Sequence, residues 1–140
     1  MSEENKALDR RIYEEVWGAY ELDNVERYYA ADYVDHTALP GLPPGREGVK
    51  ATVNMFAGAL SDLKLVIEDQ IAEGDRVVTR WTTTATHSGE LMGIPATGKQ
   101  IKITGIGISR FAGGKVVESW TEYDSIGMMQ QLGVVPPPGE

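Results

Sequence analysis

The chain reads as an α+β domain. Apolar residues recur at helical spacing over the first 60 residues and at every second position afterwards, and glycine turns cut the second half into long strands. Helices followed by a meander of antiparallel strands predict a curved sheet wrapped around the N-terminal helices, a cone with one open end whose concave face is the natural ligand site.

The first helix is predicted from Ser2, a favoured cap followed by the acids Glu3 and Glu4, which suit the positive end of a helix dipole. Leu8, Ile12, Val16 and Ala19 form its apolar stripe, widened by Tyr13, Trp17 and Tyr20. Asp23 or Asn24 starts a short helix around Val25 to Tyr29. Thr37 to Gly45 must be a loop, because its prolines and glycines leave no room for regular structure. A third helix is predicted over about Arg46 to Leu60, with Val49, Val53, Phe56 and Leu60 on one side.

From Leu63 the period becomes two. Leu63, Leu65, Ile67 and Ile71 alternate with other residues, and Glu73-Gly74-Asp75 supplies a hairpin turn. Arg76 to His87 is a threonine-rich second strand, Ser88 to Lys99 a loop, and Gln100 to Phe111 a third strand. In that third strand the apolar parity switches from Ile101 and Ile103 to Ile106 and Ile108. Gly105 and Gly107 at the switch predict a bulge or sharp curl. Ala112 to Lys115 turns into a fourth strand, a helix follows near Ile126, and the tail Val134 to Glu140 is expected to be extended. Residues 1–140 read as one domain without internal repeats.

Composition narrows the function. The balance of 41% hydrophobic and 24% charged residues is that of a soluble globule, and no apolar run approaches the roughly 20 residues of a membrane span. With 13 basic against 21 acidic residues the net charge is −8, which argues against nucleic acid and anionic membranes as partners. The acidic start lacks the character of a signal peptide, and the absence of cysteine excludes disulfides and thiolate chemistry. A cytoplasmic protein with a small-molecule partner is the expectation.

Two motifs fail on inspection. Gly93 to Lys99 has the spacing of a phosphate loop, but Gln100 stands where a Ser or Thr should meet magnesium, and a strand follows where a helix is required. His36 and His87 are the sole histidines and lie in no metal-ligand spacing, so no metal is expected.

The stretch Gly114 to Asp124 is richer. Strict alternation would put Glu118, Trp120, Glu122 and Asp124 on one side, a set better suited to a cavity that moves protons than to a plain core. An aspartate in an apolar cavity has its charged form penalised, which would tune Asp124 for proton transfer; equally, Asp124 is a favoured N-cap for the helix after it. His36, beside Tyr33 and Asp35, can shuttle a proton or anchor its loop. Arg80 would polarise an oxyanion if its side of the strand is concave, and otherwise forms a cross-strand ion pair in solvent. Tyr33, Trp120 and Glu122 are expected against ligand, with Met55, Phe56 and Met92 over the mouth. Trp81 is left to packing, and His87 is expected to be exposed and inert.

Several segments together resemble the SnoaL-like polyketide cyclases of the NTF2-like superfamily. They are Tyr33-Val-Asp-His-Thr37, Gly45-Arg-Glu-Gly48, Arg80-Trp81, Thr86 to Gly98, Gly114 to Trp120 with Asp124, and Gln130-Gln-Leu-Gly133. The resemblance runs from about Tyr13 to Pro136. In those cyclases an aspartate at the end of the last strand is the general acid/base of an intramolecular aldol closure, and the matching position is Asp124. The resemblance implies a cofactor-independent enzyme acting on a small apolar carbonyl compound, dimeric through the convex sheet face. The rivals are an epoxide hydrolase or carbonyl isomerase on the same scaffold, and a module that binds a small ligand without catalysis.

Overall fold

A computed structural model describes residues 2–136. The first helix, α1 (Ser2–Arg11), runs on as seven residues of π-helix (Ile12–Gly18). Leu8, Ile12 and Val16 are buried as the stripe requires, whereas Ala19 is exposed. Tyr20 then reverses the chain in the left-handed region (φ 58°) and its hydroxyl donates to the Leu60 carbonyl at 3.1 Å. A 3-10 turn (Leu22–Asn24) leads into α2 (Val25–Tyr28), and α3 spans Arg46–Ala59.

Five strands form one sheet: β1 (Tyr29–Asp35), β2 (Leu60–Glu73), β3 (Arg76–His87), β4 (Gln100–Ala112) and β5 (Lys115–Tyr123), in the order β1-β5-β4-β3-β2. Strands β2 to β5 make the expected antiparallel meander. The short β1 was not expected; it pairs parallel to β5 at the sheet edge. The last helix, α4 (Ser125–Leu132), ends at Gly133 in the left-handed conformation. The extended tail expected over Val134 to Glu140 lies, beyond Pro136, outside the described residues.

Bulges control the sheet. Phe111 pairs with Val116 but Arg110 with Glu118, so Val117 is an extra residue in β5. An inserted residue reverses the alternation beyond it. Val116 points inward before the bulge, and Ser119 is buried after it, while Glu122 is exposed. In β2 Ile67 pairs with Trp81 but Asp69 with Arg80, leaving Glu68 as the extra residue. Consequently Ile71, expected on the same side as Leu65 and Ile67, is turned outward and is 63% exposed.

The expected bulge at Gly105 and Gly107 does not occur, since the β3–β4 pairing is regular through both. These glycines have another use. A β-carbon at Gly105 would overlap the benzo edge of the Trp81 indole, and one at Gly107 would press on the Tyr13 hydroxyl. The absent side chains let two aromatic groups lie on the sheet.

The helices pack on the concave side and divide the core in two. One cluster holds Leu8, Ile12, Val16, Val53, Val77, Phe111 and Val116; the other holds Ala59, Leu60, Ala85, Leu91, Ile101, Met128 and Leu132. Contrary to expectation, His87 is fully buried, its Nδ1 held by the backbone N–H of Thr97 at 3.2 Å. Gly105→Ala should displace the Trp81 ring and cost about 1–3 kcal/mol, the usual price of overpacking; urea unfolding followed by tryptophan fluorescence measures it.

Candidate active site

A cavity of about 170 Å³ lies between the helices and the concave face of the sheet. Its walls are mostly apolar and aromatic: Trp17 from the π-helix, Phe56 from α3, Leu63 and Leu65 from β2, Trp81 from β3 and Ile103 from β4. An apolar chamber near 150 Å³ holds a benzene-sized molecule. Polar groups are set among these walls. They are the carboxyls of Asp9 and Asp35, the phenols of Tyr13, Tyr20, Tyr29, Tyr33 and Tyr123, and hydroxyls that include Ser109, Ser119 and Thr121.

Asp9 is the most perturbed acid. It sits on α1 one residue from Leu8, so the helix that buries its apolar stripe carries this carboxyl inward with it, leaving it 1% exposed. Its Oδ2 accepts from the Thr79 hydroxyl at 2.5 Å. Gln70 Nε2 donates to Thr79 Oγ1 at 3.2 Å and to the Lys6 carbonyl at 3.1 Å, tying helix, β2 and β3 around the acid. Burial pushes Asp9 up to about 6, against the opposing pull of the Thr79 and Ser109 hydroxyls.

The phenols respond to the same burial. Burial drives Tyr13 and Tyr33 far above the ordinary phenol range, and pushes Tyr20 up to about 12. They are therefore protonated, neutral donors at any physiological pH. Tyr33 is bonded to the Ser119 hydroxyl and stands edge-on to Tyr29, ring centroids 4.7 Å apart; Tyr29 accepts from the Trp17 indole at 3.1 Å. Asp35 accepts from the Thr37 backbone N–H (2.9 Å) and hydroxyl (3.0 Å), which folds the start of the proline loop against the site.

The residues expected to do chemistry divide between the two faces. Tyr33 and Phe56 line the cavity. Trp120, Glu122 and Arg80 do not, because the Val117 bulge turns even-numbered positions of β5 outward and Arg80 faces solvent on the same convex side. Asp124 also lies outside the cavity lining and is exposed. Its Oδ1 accepts from the Gly127 N–H at 2.8 Å, capping α4, and Gly127 is small enough to admit the carboxylate. Arg80, Glu122 and Asp124 line one shallow depression on the outer surface, with no ion pair among them.

His36 is outside as well. It stacks on Trp120 (4.7 Å, 12° between planes) and its Nε2 lies 2.8 Å from Glu118, whose other oxygen accepts from Arg110 Nε at 2.6 Å. Met55 packs on the second core cluster, and Met92 is exposed on a turn, so neither covers the mouth. Trp81, expected only to pack, lines the cavity. Asp9 and Tyr13 were not singled out for chemistry. Their signal was present in the spacing: Asp9, Tyr13 and Trp17 recur every four residues alongside the apolar stripe.

Among the described residues no cluster of three or more His, Asp or Glu side chains is gathered to hold a metal ion, and no helix is long and apolar enough to cross a membrane.

The model of the SnoaL-like polyketide cyclase family matches residues 7–132. The chain belongs to this family. A search of curated proteins gives no match. Among solved structures, TsrD from Streptomyces laurentii is similar at 26% identity and a TM-score of 0.85, over 94% of this chain and 96% of that one. AclR from Streptomyces galilaeus, a candidate hydroxylase, is 28% identical with a TM-score of 0.86, over 100% of this chain and 87% of that one. IdmH from Streptomyces antibioticus, a candidate polyketide cyclase, is 33% identical with a TM-score of 0.80, over 93% and 99%. The α+β cone is thus the NTF2-like fold of these cyclases.

Asp9 makes stability depend on pH with a definite sign. The folded state binds its proton more tightly than the unfolded chain does, so it is the charged form that folding penalises. The penalty is absent below about pH 4, grows as pH rises toward 6, and reaches about 3 kcal/mol above it for a shift of about two units. Asp9→Asn should remove this component, so that denaturant midpoints at pH 4 and pH 8 lie closer together in the variant than in the wild type.

Proposed function

We propose that this cyclase-family protein is a cofactor-independent acid/base catalyst acting on a small, largely apolar carbonyl compound held in the cavity. The observation that carries the reading is the Asp9 carboxyl, buried among apolar and aromatic walls and pushed up to about 6. A base tuned close to the working pH is deprotonated and yet strong enough to accept a carbon-bound proton. The apolar cavity keeps the nascent enolate from water, and neutral phenols offer hydrogen bonds to its oxygen. With a second carbonyl on the same substrate, attack by the enolate carbon closes a ring, and the alkoxide takes up the proton that Asp9 removed from carbon, restoring the carboxylate. This is the aldol-type cyclisation that membership of the family suggests.

The epoxide-hydrolase reading needs an arginine between two acids in the cavity. The lining contains no arginine or lysine among the described residues, which favours carbonyl chemistry instead.

The test uses phenylacetone, a ketone of one ring, in heavy water. Proton NMR should show benzylic exchange accelerated by the protein, with a rate that rises with pH through about 6. Asp9→Asn should lose about 100-fold or more, the span of a general base, while Asp124→Asn retains the exchange. The reverse result would return the proton transfer to Asp124, and no acceleration at all would leave a binding module.

The convex face also bears on the assembly. Ile71, Val78, Ile108 and Trp120 stand opposite one another in register across four strands. Arg76, Arg80, Arg110, Glu118 and Glu122 surround them, so both charge signs meet on this face of a protein with net charge −8. A patch that is apolar and carries both signs suits a two-fold, self-complementary contact, and we propose a cytoplasmic homodimer through it. Ile108→Lys should halve the mass seen by sedimentation equilibrium without altering the far-ultraviolet circular dichroism.

A further inference from the structure

Trp81 carries an unexplained feature. Its side chain lines the cavity, yet its indole Nε1–H is buried without a hydrogen-bond partner. Trp17, also in the lining, spends its N–H on the Tyr29 hydroxyl. A buried donor left unmade costs about 1–3 kcal/mol. The Tyr13 phenol lies close by, ring centroids 6.4 Å apart, and the indole pulls its pKa down against the larger upward push of burial, yet the pair falls short of hydrogen-bond geometry.

The ring cannot readily turn away. It rests on the bare backbone of Gly105, its register partner on β4, and Tyr13 fills the adjoining space over Gly107. An indole N–H donates only, and it stays protonated at every accessible pH. A rigid, neutral, unpartnered donor in an apolar wall discriminates in favour of a ligand that brings an acceptor.

We propose that the Trp81 indole N–H is the donor that seats the carbonyl oxygen of the cavity's ligand, with the Tyr13 hydroxyl beside it as a second donor. The inference rests on the carbonyl reading above and deepens it. The ligand oxygen is anchored at the β3–β4 wall, and the α-carbon is presented toward the helix that carries Asp9. Trp81 is then a residue that selects ketones over hydrocarbons of equal shape.

The test compares phenylacetone with methallylbenzene, in which a methylene group replaces the carbonyl oxygen. In a proton–nitrogen correlation spectrum the Trp81 indole signal is identified by its loss in Trp81→Phe. Phenylacetone should move that signal downfield, and methallylbenzene should not. Trp81→Phe should weaken phenylacetone about tenfold, the size of one hydrogen bond, and leave methallylbenzene unchanged. If phenylacetone shifts the backbone signals of Ile103 and Leu65 while the indole of the wild type stays put, the donor role is overturned although the cavity reading survives. An equal loss of both compounds in the variant overturns it too. If neither compound perturbs the cavity signals, the carbonyl reading itself falls and takes this inference with it.

Discussion

A single inserted residue, Val117, governs the sides of the last strand. Side chains in a strand alternate, so one extra residue exchanges inside for outside along everything that follows. Before it Val116 packs inward; after it Ser119, Thr121 and Tyr123 face the cavity, and Glu118, Trp120 and Glu122 face solvent. The extra Glu68 in β2 acts likewise: Leu65 before it faces the cavity, and Ile71 beyond it is turned out to the convex surface. Bulges also bend and twist a strand, so the features that choose the faces are of the kind that curves a sheet into a cone.

What that curvature encloses is buried and largely aromatic, and its chemistry follows from the burial. The same burial that raises Asp9 into the range useful for proton transfer raises the tyrosines out of the range where they ionise. Burial is the largest cause in each case, and the charges of Asp9 and Asp35 push the phenols further in the same direction. The helix that brings Asp9 and Tyr13 inward is held to the sheet through Thr79 and Gln70, so positioning and electrostatics share the same few contacts.

The convex side collects the charges that alternation had assigned to the interior. His36, Trp120, Glu118 and Arg110 form a chain of stacking and ion pairing there, with Arg76 over the other part of the indole surface at 5.5 Å. Asp124 ends the strand as the cap of α4. Its carboxylate is exposed and engaged by the Gly127 N–H, which gives it a structural role outside the cavity.

Element order and most boundaries were determined by the sequence alone. Arg76 to His87 is a strand, Arg46 starts a helix, and Gly74 turns a hairpin, because period, caps and glycine act locally. Membership of the cyclase family was likewise legible in motifs spread along the chain. The edge strand at Tyr29 was not, since its pairing partner at Val116 lies far along the chain and no local pattern records it. Nor was the inward face of β5, because a bulge is chosen by the packing of neighbouring strands and resets a phase that the residue pattern cannot carry past it. The tertiary structure decided which acids are buried, and with that which of them could take a proton from carbon.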